Sequence, residues 1–525
     1  MSMSRTVRET FIEQLRTLGM TSVFGNPGST ELPMFRDFPD DFRYVLGLQE
    51  AVVVGMADGY AQATHNAALV NLHSAAGVGH AMGNIFTAWK NRTPLVITAG
   101  QQARSMLVGE PFLFADQATE LPKPYVKWSC EPARAQDVPA ALARGYHLAM
   151  APPRGPVFLS VPVDDWDQPT DPDQPLEPRT VSTAVRADPA LLDEVASALA
   201  RSRRPAFVVG AGVDVEGAFE DVVTLAERHR ARVWVAPLSA RCSFPESHPL
   251  FAGFLDADRD RIREQLAGHD VVVVIGAPVF SYHVEGTGPY VARGTALFQL
   301  VDDPATAAWT PTGTSVVTSI RLGLRDLLSG PEPAPRTAPA PRVRPARVQP
   351  DGVISEAFLM QTIADLRPEA SIVVEEAPSS RSTMHDHLPF DRSETFFTCA
   401  SGGLGHGMPA AVGVALARPE QQVIALLGDG SSMYSVQALW SAAREELPIV
   451  FVVVNNSAYA ALDRFAQHFG ISKPVGTSLP GIDFAGLARD LGCSGVTVRR
   501  PDELAAALTA ALAATTPSLV DVHVG

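Results

Sequence analysis

The segment Gly428-Asp429-Gly430-Ser431-Ser432 combines residue types that can hold an anion and a metal ion together. It follows the apolar run Val423–Leu427 and precedes residues with a helical pattern. Glycines let the backbone come close to an anion, and Ser431 with the free amides of a helix start can hold phosphate oxygens. The carboxylate of Asp429 is a hard oxygen ligand that suits Mg²⁺ bridging two phosphates. The pattern favours a phosphate-bearing ligand held through a metal ion.

A polar pair, Asn455-Asn456, follows the next apolar run, Ile449–Val454. Asn456 comes 27 positions after Asp429, which is enough for one helix and one strand. Because a right-handed crossover places two such parallel strands side by side, the carboxylate and the Asn456 side-chain oxygen can share one cation. A glycine–aspartate–glycine segment alone is most often only a turn, but its combination with the asparagine pair is much more specific. A dinucleotide site lacks support, because Gly210-Ala211-Gly212 is an incomplete motif.

These residues need a buried parallel sheet to position them, and apolar runs at regular intervals supply its strands. The runs are apolar throughout, which is typical of strands covered on both faces. Helical patterns separate them, so the sequence predicts three α/β domains with doubly wound parallel sheets, which bind ligands beyond the carboxyl ends of their strands. The predicted strands are Ala68–His73, Pro94–Ala99, Val157–Val161, Ala206–Val209, Val233–Ala236, Val271–Ile275, Ile372–Glu375, Val423–Leu427, Ile449–Val454 and Leu519–Val522. The predicted helices are Gln49–Thr64, Val78–Asn91, Tyr434–Glu446 and Pro501–Ala514.

Two proline-rich stretches, Asp167–Arg179 and Gly330–Gln349, predict extended connectors between three pieces of similar size. Proline removes a backbone donor and sustains neither a helix nor a strand ladder. We assign the three domains to residues 1–180, 181–340 and 341–525. A length of 525 residues agrees with this division, since domains hold roughly 100–200 residues each.

The charge and the cysteines exclude several classes of protein. A net charge of -15 and a pI of about 5.3 argue against non-specific binding to nucleic acid or an anionic membrane. The four cysteines lie far apart without metal-ligand spacing, which predicts free thiols in a reducing compartment. No apolar run approaches the ~20 residues of a membrane span, and the N-terminus has no signal-peptide pattern. We expect a soluble cytoplasmic protein.

The first and second pieces contribute side chains suited to moving protons. Glu50 begins an apolar helical segment, where a poorly solvated carboxyl group can share a proton with a ligand, although a helix-capping role is the alternative. Ser29 stands in a glycine-rich turn and can donate a hydrogen bond to a ligand. His73 and His283 each follow a predicted strand, and histidine is the residue type that changes charge near neutral pH. A structural role remains the alternative for each histidine alone.

In detail the chain resembles the benzoylformate decarboxylases, a family of thiamine diphosphate-dependent 2-oxo acid decarboxylases. The resemblance runs from near Thr21 to near Asp521 and implies a pyrimidine-binding domain, a central domain without nucleotide or flavin, and a diphosphate-binding domain. It also implies a homodimer active site, in which Glu50 of one chain faces the Asp429 segment of its neighbour, and a homotetramer overall. The motifs that carry it are Phe24–Ser29, Asn71–Gly77, Gly276–Phe280 with His283, Gly402–Gly405 and the Asp429–Asn456 pair.

The resemblance implies a role for each candidate residue. The cofactors are thiamine diphosphate and Mg²⁺, for which Ca²⁺ can substitute, and the metal ligands are Asp429, Asn456 and the backbone carbonyl of Ala458. Glu50 shares a proton with the aminopyrimidine ring, Ser29 binds the substrate carboxylate, and His73 and His283 transfer protons. The remaining cofactor contacts are Gly402, Leu404, Gly428, Gly430, Ser431 and Tyr459, and the substrate pocket is Phe112, Leu113, Thr398, Ala461 and Phe465.

The match is weaker where the substrate's side chain would bind. Thr398 replaces a phenylalanine of the family, Phe112 replaces a leucine, and His80 stands where a small amide is expected. The implied reaction is decarboxylation of an aryl 2-oxo acid, benzoylformate first, to an aldehyde and carbon dioxide, as in mandelate catabolism. Another 2-oxo acid, an acetolactate-synthase-like carboligase and a non-catalytic subunit are the alternatives. The two histidines favour protonation over carboligation.

Overall fold

The computed structural model describes residues 5–171 and 179–525, and it contains three parallel β-sheets with helices between their strands. The strands are β1 (Ser22–Gly25), β2 (Arg43–Leu46), β3 (Ala68–Leu72), β4 (Leu95–Gln101), β5 (Ser129–Cys130), β6 (Val157–Pro162), β7 (Pro205–Val209), β8 (Arg232–Val235), β9 (Phe251–Phe254), β10 (Val271–Ile275), β11 (Ala296–Val301), β12 (Thr314–Val317), β13 (Ile372–Glu376), β14 (Phe396–Thr398), β15 (Val423–Gly428), β16 (Val450–Asn455), β17 (Ser494–Val498) and β18 (Ser518–His523).

The α-helices of the described residues connect these strands. They are α1 (Val7–Thr17), α2 (Glu50–Thr64), α3 (Ser74–Asn91), α4 (Val138–Met150), α5 (Pro189–Arg201), α6 (Ala211–Val215), α7 (Phe219–His229), α8 (Arg259–Gln265), α9 (Pro304–Trp309), α10 (Ile320–Leu328), α11 (Glu356–Leu366), α12 (Arg381–His387), α13 (Gly407–Ala417), α14 (Asp429–Ser432), α15 (Ala438–Arg444), α16 (Ala460–His468), α17 (Phe484–Asp490) and α18 (Pro501–Leu512). Short 3₁₀ turns cover Leu32–Phe35, Arg104–Gly109 and Ala135–Asp137.

The chain divides into two compact units. The first comprises Met1–Val181, Gln349–Arg381 and Ser401–Gly525, and the second comprises Ser182–Val348 and Ser382–Ala400. The first sheet and five strands of the third lie in the first unit, so the two ends of the chain fold together. The division into domains at 1–180, 181–340 and 341–525 stays a prediction.

The sheets have the parallel topology that the apolar runs predict. The first runs β2-β1-β3-β4-β6-β5 and the second β12-β11-β10-β7-β8-β9, while the first-unit strands of the third run β13-β15-β16-β18-β17. Every residue of β3, β4, β10 and β13 is buried, as expected for strands of a parallel sheet that is covered on both faces. The predicted doubly wound α/β fold is confirmed.

The structure refines several of the predicted elements. The helix predicted over Tyr434–Glu446 is shorter, because the residues before Ala438 form tight turns, with the Tyr434 amide on the Ser431 carbonyl and the Ala438 amide on the Ser435 carbonyl. The stretch Gly330–Gln349 contains neither helix nor strand, as its prolines predict. Of the other predicted connector, residues 172–178 lie outside the described part of the chain.

Helices α2 and α13 pack so closely that their backbones touch at glycines. A Cβ on Gly59 would lie 2.2 Å from the carbonyl oxygen of Ala410, and one on Gly413 would lie 1.9 Å from the carbonyl oxygen of Met56. Both distances are shorter than any real Cβ contact, so only glycine permits this approach. The contact fixes the helix that begins at Glu50 against the helix that follows the Gly402–Gly405 loop.

The four cysteines are free, and three of them, Cys242, Cys399 and Cys493, are buried. Among the helices of the described residues, none is long and apolar enough to cross a membrane.

Candidate active site

Asp429 and Asn456 meet at the carboxyl edge of the third sheet. β15 and β16 are parallel neighbours, and each of the two residues is the first to follow its strand. The backbone nitrogen of Ala458 lies 3.2 Å from Asp429 Oδ2 and 3.0 Å from Asn456 Oδ1. Two side-chain oxygens thus converge on one backbone group, as the spacing in the sequence predicts.

The turn after β15 is built tightly around this point. A Cβ on Gly430 would lie 2.2 Å from Cε1 of Tyr459, so the aromatic ring covers the turn and requires glycine there. The Ser431 hydroxyl donates to the carbonyl oxygens of Glu376 at 2.6 Å and of Gly428 at 3.0 Å. Its proton is therefore engaged by the protein, and the backbone amides of the turn are the groups that can face a phosphate.

The donor set at this edge fits a hard divalent cation. It consists of carboxylate and amide oxygens, and no group of three or more His, Cys, Asp and Glu side chains suited to a metal occurs among the described residues. Asp429 is only 4% exposed, and burial raises the pKa of its carboxyl, with hydrogen bonds from neighbouring amides opposing the shift. A cation next to this buried carboxylate would balance its charge, so these residues suit Mg²⁺ rather than a soft metal.

At the carboxyl edge of the first sheet, Glu50 begins α2 in a nearly buried position. Gln49 caps the helix by accepting from the amides of Ala51 and Val52, which leaves the Glu50 carboxylate free of that role. Its Oε1 accepts from Asn26 Nδ2 at 3.4 Å, and its Oε2 lies 3.1 Å from His80 Nδ1. Gln49 therefore caps the helix, which was the alternative role considered for Glu50.

His73 is oriented by a second carboxylate, Glu31, which is 1% exposed. Its Nδ1 lies 2.8 Å from Glu31 Oε2, and the same carboxylate accepts from the amides of Gly28 and Gly100. A Cβ on Gly28 would lie 1.9 Å from His73 Nδ1, so the turn that carries the exposed Ser29 lies directly on the imidazole. The structure therefore brings Ser29 and His73 together.

The Gly402–Gly405 loop is held from both sides. Glu376, at the end of β13, accepts from the amides of Gly405, His406 and Gly407 at 2.9, 3.1 and 3.0 Å. Burial raises the pKa of this carboxyl to about 7, although His406 and the amides oppose the shift. On the other side, Asn84 of α3 donates to the carbonyls of Ala51 and Gly405, at 2.6 and 3.2 Å. One amide side chain thus joins the start of α2 to the loop.

Below the loop, His406 and Asp58 form a fully buried ion pair, with Nε2 and Oδ2 3.1 Å apart. Burial opposes charge on both groups, but their attraction prevails, so the pKa of Asp58 is lowered and that of His406 is raised. Thr93 and Gln62 also donate to the carboxylate. The pair ties α2 to the first residues of α13.

The remaining predicted residues lie in different surroundings. Gly402 is exposed with φ of +71°, and Leu404 is half-buried. Phe112 is 86% exposed, and the carbonyl of the adjacent Leu113 accepts from the Ser74 hydroxyl at 2.9 Å. Ala461 and Phe465 lie on α16 and are half-buried. His283 and Thr398 belong to the second compact unit, where His283 is exposed and Thr398 is buried.

Several site residues were not predicted from the sequence as functional. Glu31 follows Ser29 by two positions, but nothing in the sequence tells that it turns inward to His73. Asn84, Glu376 and His406 likewise act on backbone or side chains far away in the chain, which a local pattern does not reveal. One signal was available in the sequence, because Asp58 is a charged residue directly after the apolar run Ala51–Ala57.

Three models of thiamine pyrophosphate enzyme domains match the chain. The N-terminal TPP binding domain matches residues 5–119, the central domain residues 192–327 and the C-terminal TPP binding domain residues 378–522. The first and third matched segments contain the two sheet edges described above, with Glu50 in one and Asp429 in the other.

Proteins of similar length align with the chain from end to end. Benzoylformate decarboxylase of Pseudomonas aeruginosa is 45% identical over 99% of this chain and 98% of its own. The structure of a thiamine diphosphate-dependent 4-hydroxybenzoylformate decarboxylase from Rhodococcus jostii RHA1 superposes with a TM-score of 0.96 at 40% identity, covering 99% of each chain. That of benzoylformate decarboxylase from Polynucleobacter necessarius gives 0.96 at 39% identity, covering 99% and 98%. This chain belongs to the benzoylformate decarboxylase family of thiamine diphosphate-dependent enzymes.

Proposed function

We propose that the protein decarboxylates an aryl 2-oxo acid, benzoylformate or a ring-substituted analogue, to the aldehyde and carbon dioxide. The observation that carries this proposal is the convergence of Asp429 Oδ2 and Asn456 Oδ1 at one sheet edge, in a chain that aligns over 99% of its length with a benzoylformate decarboxylase. A non-catalytic subunit would have no chemical need for this arrangement together with a nearly buried Glu50.

Thiamine diphosphate, when bound, supplies a carbon nucleophile that adds to the keto group and accepts the electrons released with carbon dioxide. Asp429, Asn456 and the Ala458 carbonyl would hold Mg²⁺ against its diphosphate, and the turn from Gly428 to Ser431 would contact the phosphate oxygens. Tyr459, Leu404 and the Gly402 carbonyl would line the rest of the cofactor site. Each of these assignments is supported by the position of the residue at the third sheet edge or on the loop beside it.

Most of the side chains proposed to act in proton transfer lie at the carboxyl edge of the first sheet. Glu50 would exchange a proton with the aminopyrimidine ring, since its carboxylate is nearly buried and free of the capping role. Ser29 would donate to the substrate carboxylate, which gives up its charge as carbon dioxide leaves. His73, held by Glu31, would deliver a proton to the substrate, and His283 would act at the other proton-transfer step.

The residues of the substrate pocket should determine which 2-oxo acid the enzyme prefers. The family resemblance assigns Phe112, Leu113, Thr398, Ala461 and Phe465 to the substrate pocket, and the two departures from the family pattern, Thr398 and Phe112, change its polarity and packing. The relative from Rhodococcus jostii is a 4-hydroxybenzoylformate decarboxylase, and a hydroxyl at Thr398 suits a polar ring substituent. A ring-hydroxylated benzoylformate is therefore the second candidate substrate.

The deciding experiment is aldehyde release from benzoylformate, 4-hydroxybenzoylformate, phenylpyruvate and pyruvate, each with and without thiamine diphosphate and Mg²⁺. Cofactor-dependent release of an aromatic aldehyde is expected, with one of the first two acids preferred. Analysis of pyruvate reactions for coupled hydroxyketones tests the carboligase alternative. If the cofactor binds by calorimetry and neither aryl acid reacts, the proposed substrate class is wrong.

We further propose that the enzyme is a homodimer or homotetramer whose sites are shared between two chains. Large apolar side chains that are exposed in the first unit support a partner surface: Val108, Phe112, Phe469 and Val475 are each at least 70% exposed. Mixing Glu50→Gln chains with Asp429→Asn chains tests the sharing, at a cofactor concentration too low to saturate Asp429→Asn alone. A shared arrangement leaves one intact site in each mixed dimer and restores turnover, whereas a site within one chain leaves every site defective.

The protein's compartment and metabolic place are part of the same proposal. We propose a cytoplasmic enzyme of mandelate catabolism that uses Mg²⁺, or Ca²⁺ in its place. The acidic net charge and the four free cysteines support this assignment. Fractionation of the producing cells and the metal content of the purified holoenzyme test it.

A further inference from the structure

Glu50 has one titratable neighbour to which the proposed mechanism gives no task. His80 of α3 places its Nδ1 3.1 Å from Glu50 Oε2. In the single chain the glutamate side chain is 11% exposed and the histidine side chain 63%, so the imidazole is the more accessible member of the pair. It touches the carboxylate on which activation of the cofactor would depend.

Both histidines of this region belong to the amino end of α3. His73 is the N-cap residue of the helix, and Gly77 and His80 lie in its first two turns. A Cβ on Gly77 would lie 3.3 Å from Glu50 Cγ and 3.5 Å from His73 Cβ, so Glu50 packs over the glycine that separates the two histidines. The same helix thus presents one histidine to Glu31 and the other to Glu50.

The electrostatic surroundings of the pair are simple. The titratable group of α2 that contacts His80 is Glu50, and from the loop after β1 the neutral Asn26 donates to the other carboxylate oxygen. At the N-cap of α3, the titratable side chain of His73 pairs with Glu31. Among the described residues, Glu50 is the only hydrogen-bond or ion-pair partner of His80.

We propose that His80 is a positioning residue for Glu50 that couples activation of the cofactor to the protonation of its own imidazole. The proposal rests on the assignment of Glu50 as the proton-exchanging carboxylate. A neutral imidazole with its proton on Nδ1 donates a hydrogen bond and orients the carboxylate. A protonated imidazole donates the same bond but adds a positive charge, which stabilises the anionic carboxylate and makes it a poorer proton acceptor. Activation should therefore rise as His80 loses its proton.

A side-chain amide at position 80 would orient Glu50 equally at every pH, whereas an imidazole can also gain a charge. The test compares these two kinds of side chain. His80→Asn keeps a donor at the position of Nδ1 without a titratable charge, and His80→Leu removes both donor and charge. Because the side chain is 63% exposed, neither substitution disturbs the core. His147→Asn on α4, far along the chain from Glu50, is the control for loss of a histidine.

The measurement is the rate at which bound thiamine diphosphate exchanges its C2 proton for deuterium, followed by NMR without substrate, with cofactor affinity from calorimetry. Between about pH 5.5 and 8 the wild-type rate should rise about tenfold more than in His80→Asn, because asparagine carries no ionisable group. The rate in His80→Leu should lie about tenfold below that in His80→Asn at every pH, since the orienting hydrogen bond is gone. Affinity should be unchanged in both variants.

A His80→Asn profile that follows the wild type would overturn the proposal, as would loss of cofactor affinity in either variant. Glu50→Gln separates this failure from that of the proposed function. If Glu50→Gln exchanges at the wild-type rate, the assignment of Glu50 is wrong, and the role of His80 is wrong with it. If Glu50→Gln blocks exchange while His80→Asn follows the wild type, only the role of His80 is wrong.

Discussion

The carboxyl edges of the first and third sheets present different chemical groups. At the third, oxygen atoms and backbone amides converge: Asp429 and Asn456 share the Ala458 amide, and Glu376 is held by three amides of the loop. At the first, carboxylates pair with histidines, Glu31 with His73 and Glu50 with His80. The third edge presents oxygen atoms and amides suited to a metal ion and a phosphate, whereas the first presents side chains suited to acid–base chemistry. We infer that binding and proton transfer are assigned to separate edges, and four substitutions test this division.

The largest effect is expected for Glu50→Gln, which removes the proton-exchanging group and leaves the third edge intact. Turnover should fall about 1000-fold, because a positioned acid–base group contributes roughly 10²–10⁴-fold, while cofactor affinity stays near that of the wild type. Steady-state kinetics with calorimetry check both parts. The exposed Glu264→Gln is the matched control. A large loss of cofactor affinity in Glu50→Gln would contradict the inference that binding and proton transfer belong to separate edges.

Asp429→Asn should have the opposite signature. Replacing the carboxylate removes the charge that a divalent cation requires, so affinity for thiamine diphosphate with Mg²⁺ should fall at least about 100-fold. At saturating cofactor, the variant should regain a substantial part of the wild-type kcat, because the first edge is unchanged. Calorimetric titration of the apoprotein gives the affinity. Unaltered affinity would remove Asp429 from the metal site.

Glu376 tests whether the third edge tolerates a change of protonation. Burial raises the pKa of this carboxyl from 4.5 in the unfolded chain to about 7, so the folded protein binds more protons than the unfolded protein between these values. Stability contributed by protonated Glu376 is full below about pH 4.5 and is lost as the pH rises towards 7. The loss should be about 2 kcal/mol between pH 5 and 7.

Glu376→Gln should remove this part of the pH dependence of unfolding, measured as the difference from the wild type in urea at the two pH values. The comparison of two proteins cancels the titration of groups that do not interact with Glu376. Glu420→Gln, at an exposed position, should keep the wild-type dependence. An unchanged slope in Glu376→Gln would show that its carboxyl keeps the same charge over this range.

The smallest effect is expected for Glu31→Gln. The carboxylate of Glu31 accepts hydrogen bonds through both oxygens, from two backbone amides and from His73. In glutamine one of these oxygens becomes an NH₂ group, which only donates, so the imidazole loses its fixed orientation. The kcat should fall about tenfold with little change in cofactor affinity, since outer partners of a functional histidine have effects of this order. Glu131→Gln, whose carboxylate accepts from Ser160 elsewhere in the first sheet, is the control. Wild-type kcat in Glu31→Gln would exclude an orienting role.

The difference between the edges also explains what the sequence could predict. The third edge depends on residues that directly follow buried strands, so strand prediction and chain spacing placed Asp429 beside Asn456. At the first edge, Glu50 and His73 could be named from a family resemblance, but their partners could not. Whether Glu31 faces His73, or His80 faces Glu50, depends on how a turn and a helix face pack, which no local pattern encodes.

Strand prediction itself succeeded where burial is complete and failed at short or polar edges. The run Val271–Ile275 was predicted with its observed bounds, because apolar β-branched residues fill both faces. β17 was missed, since its residues alternate between exposed and half-buried positions and include Gly495. β1 was missed because four residues give too little periodicity, although it carries the turn that holds Ser29.

The glycine contacts between α2 and α13 have a consequence for inherited variation in this enzyme. A single methyl group at Gly59 or Gly413 would push apart the helix that starts at Glu50 and the helix behind the Gly402–Gly405 loop. Loss-of-function alleles should therefore arise at positions that never meet the substrate. A check of the catalytic residues alone would therefore class such an allele as functional although its protein is inactive.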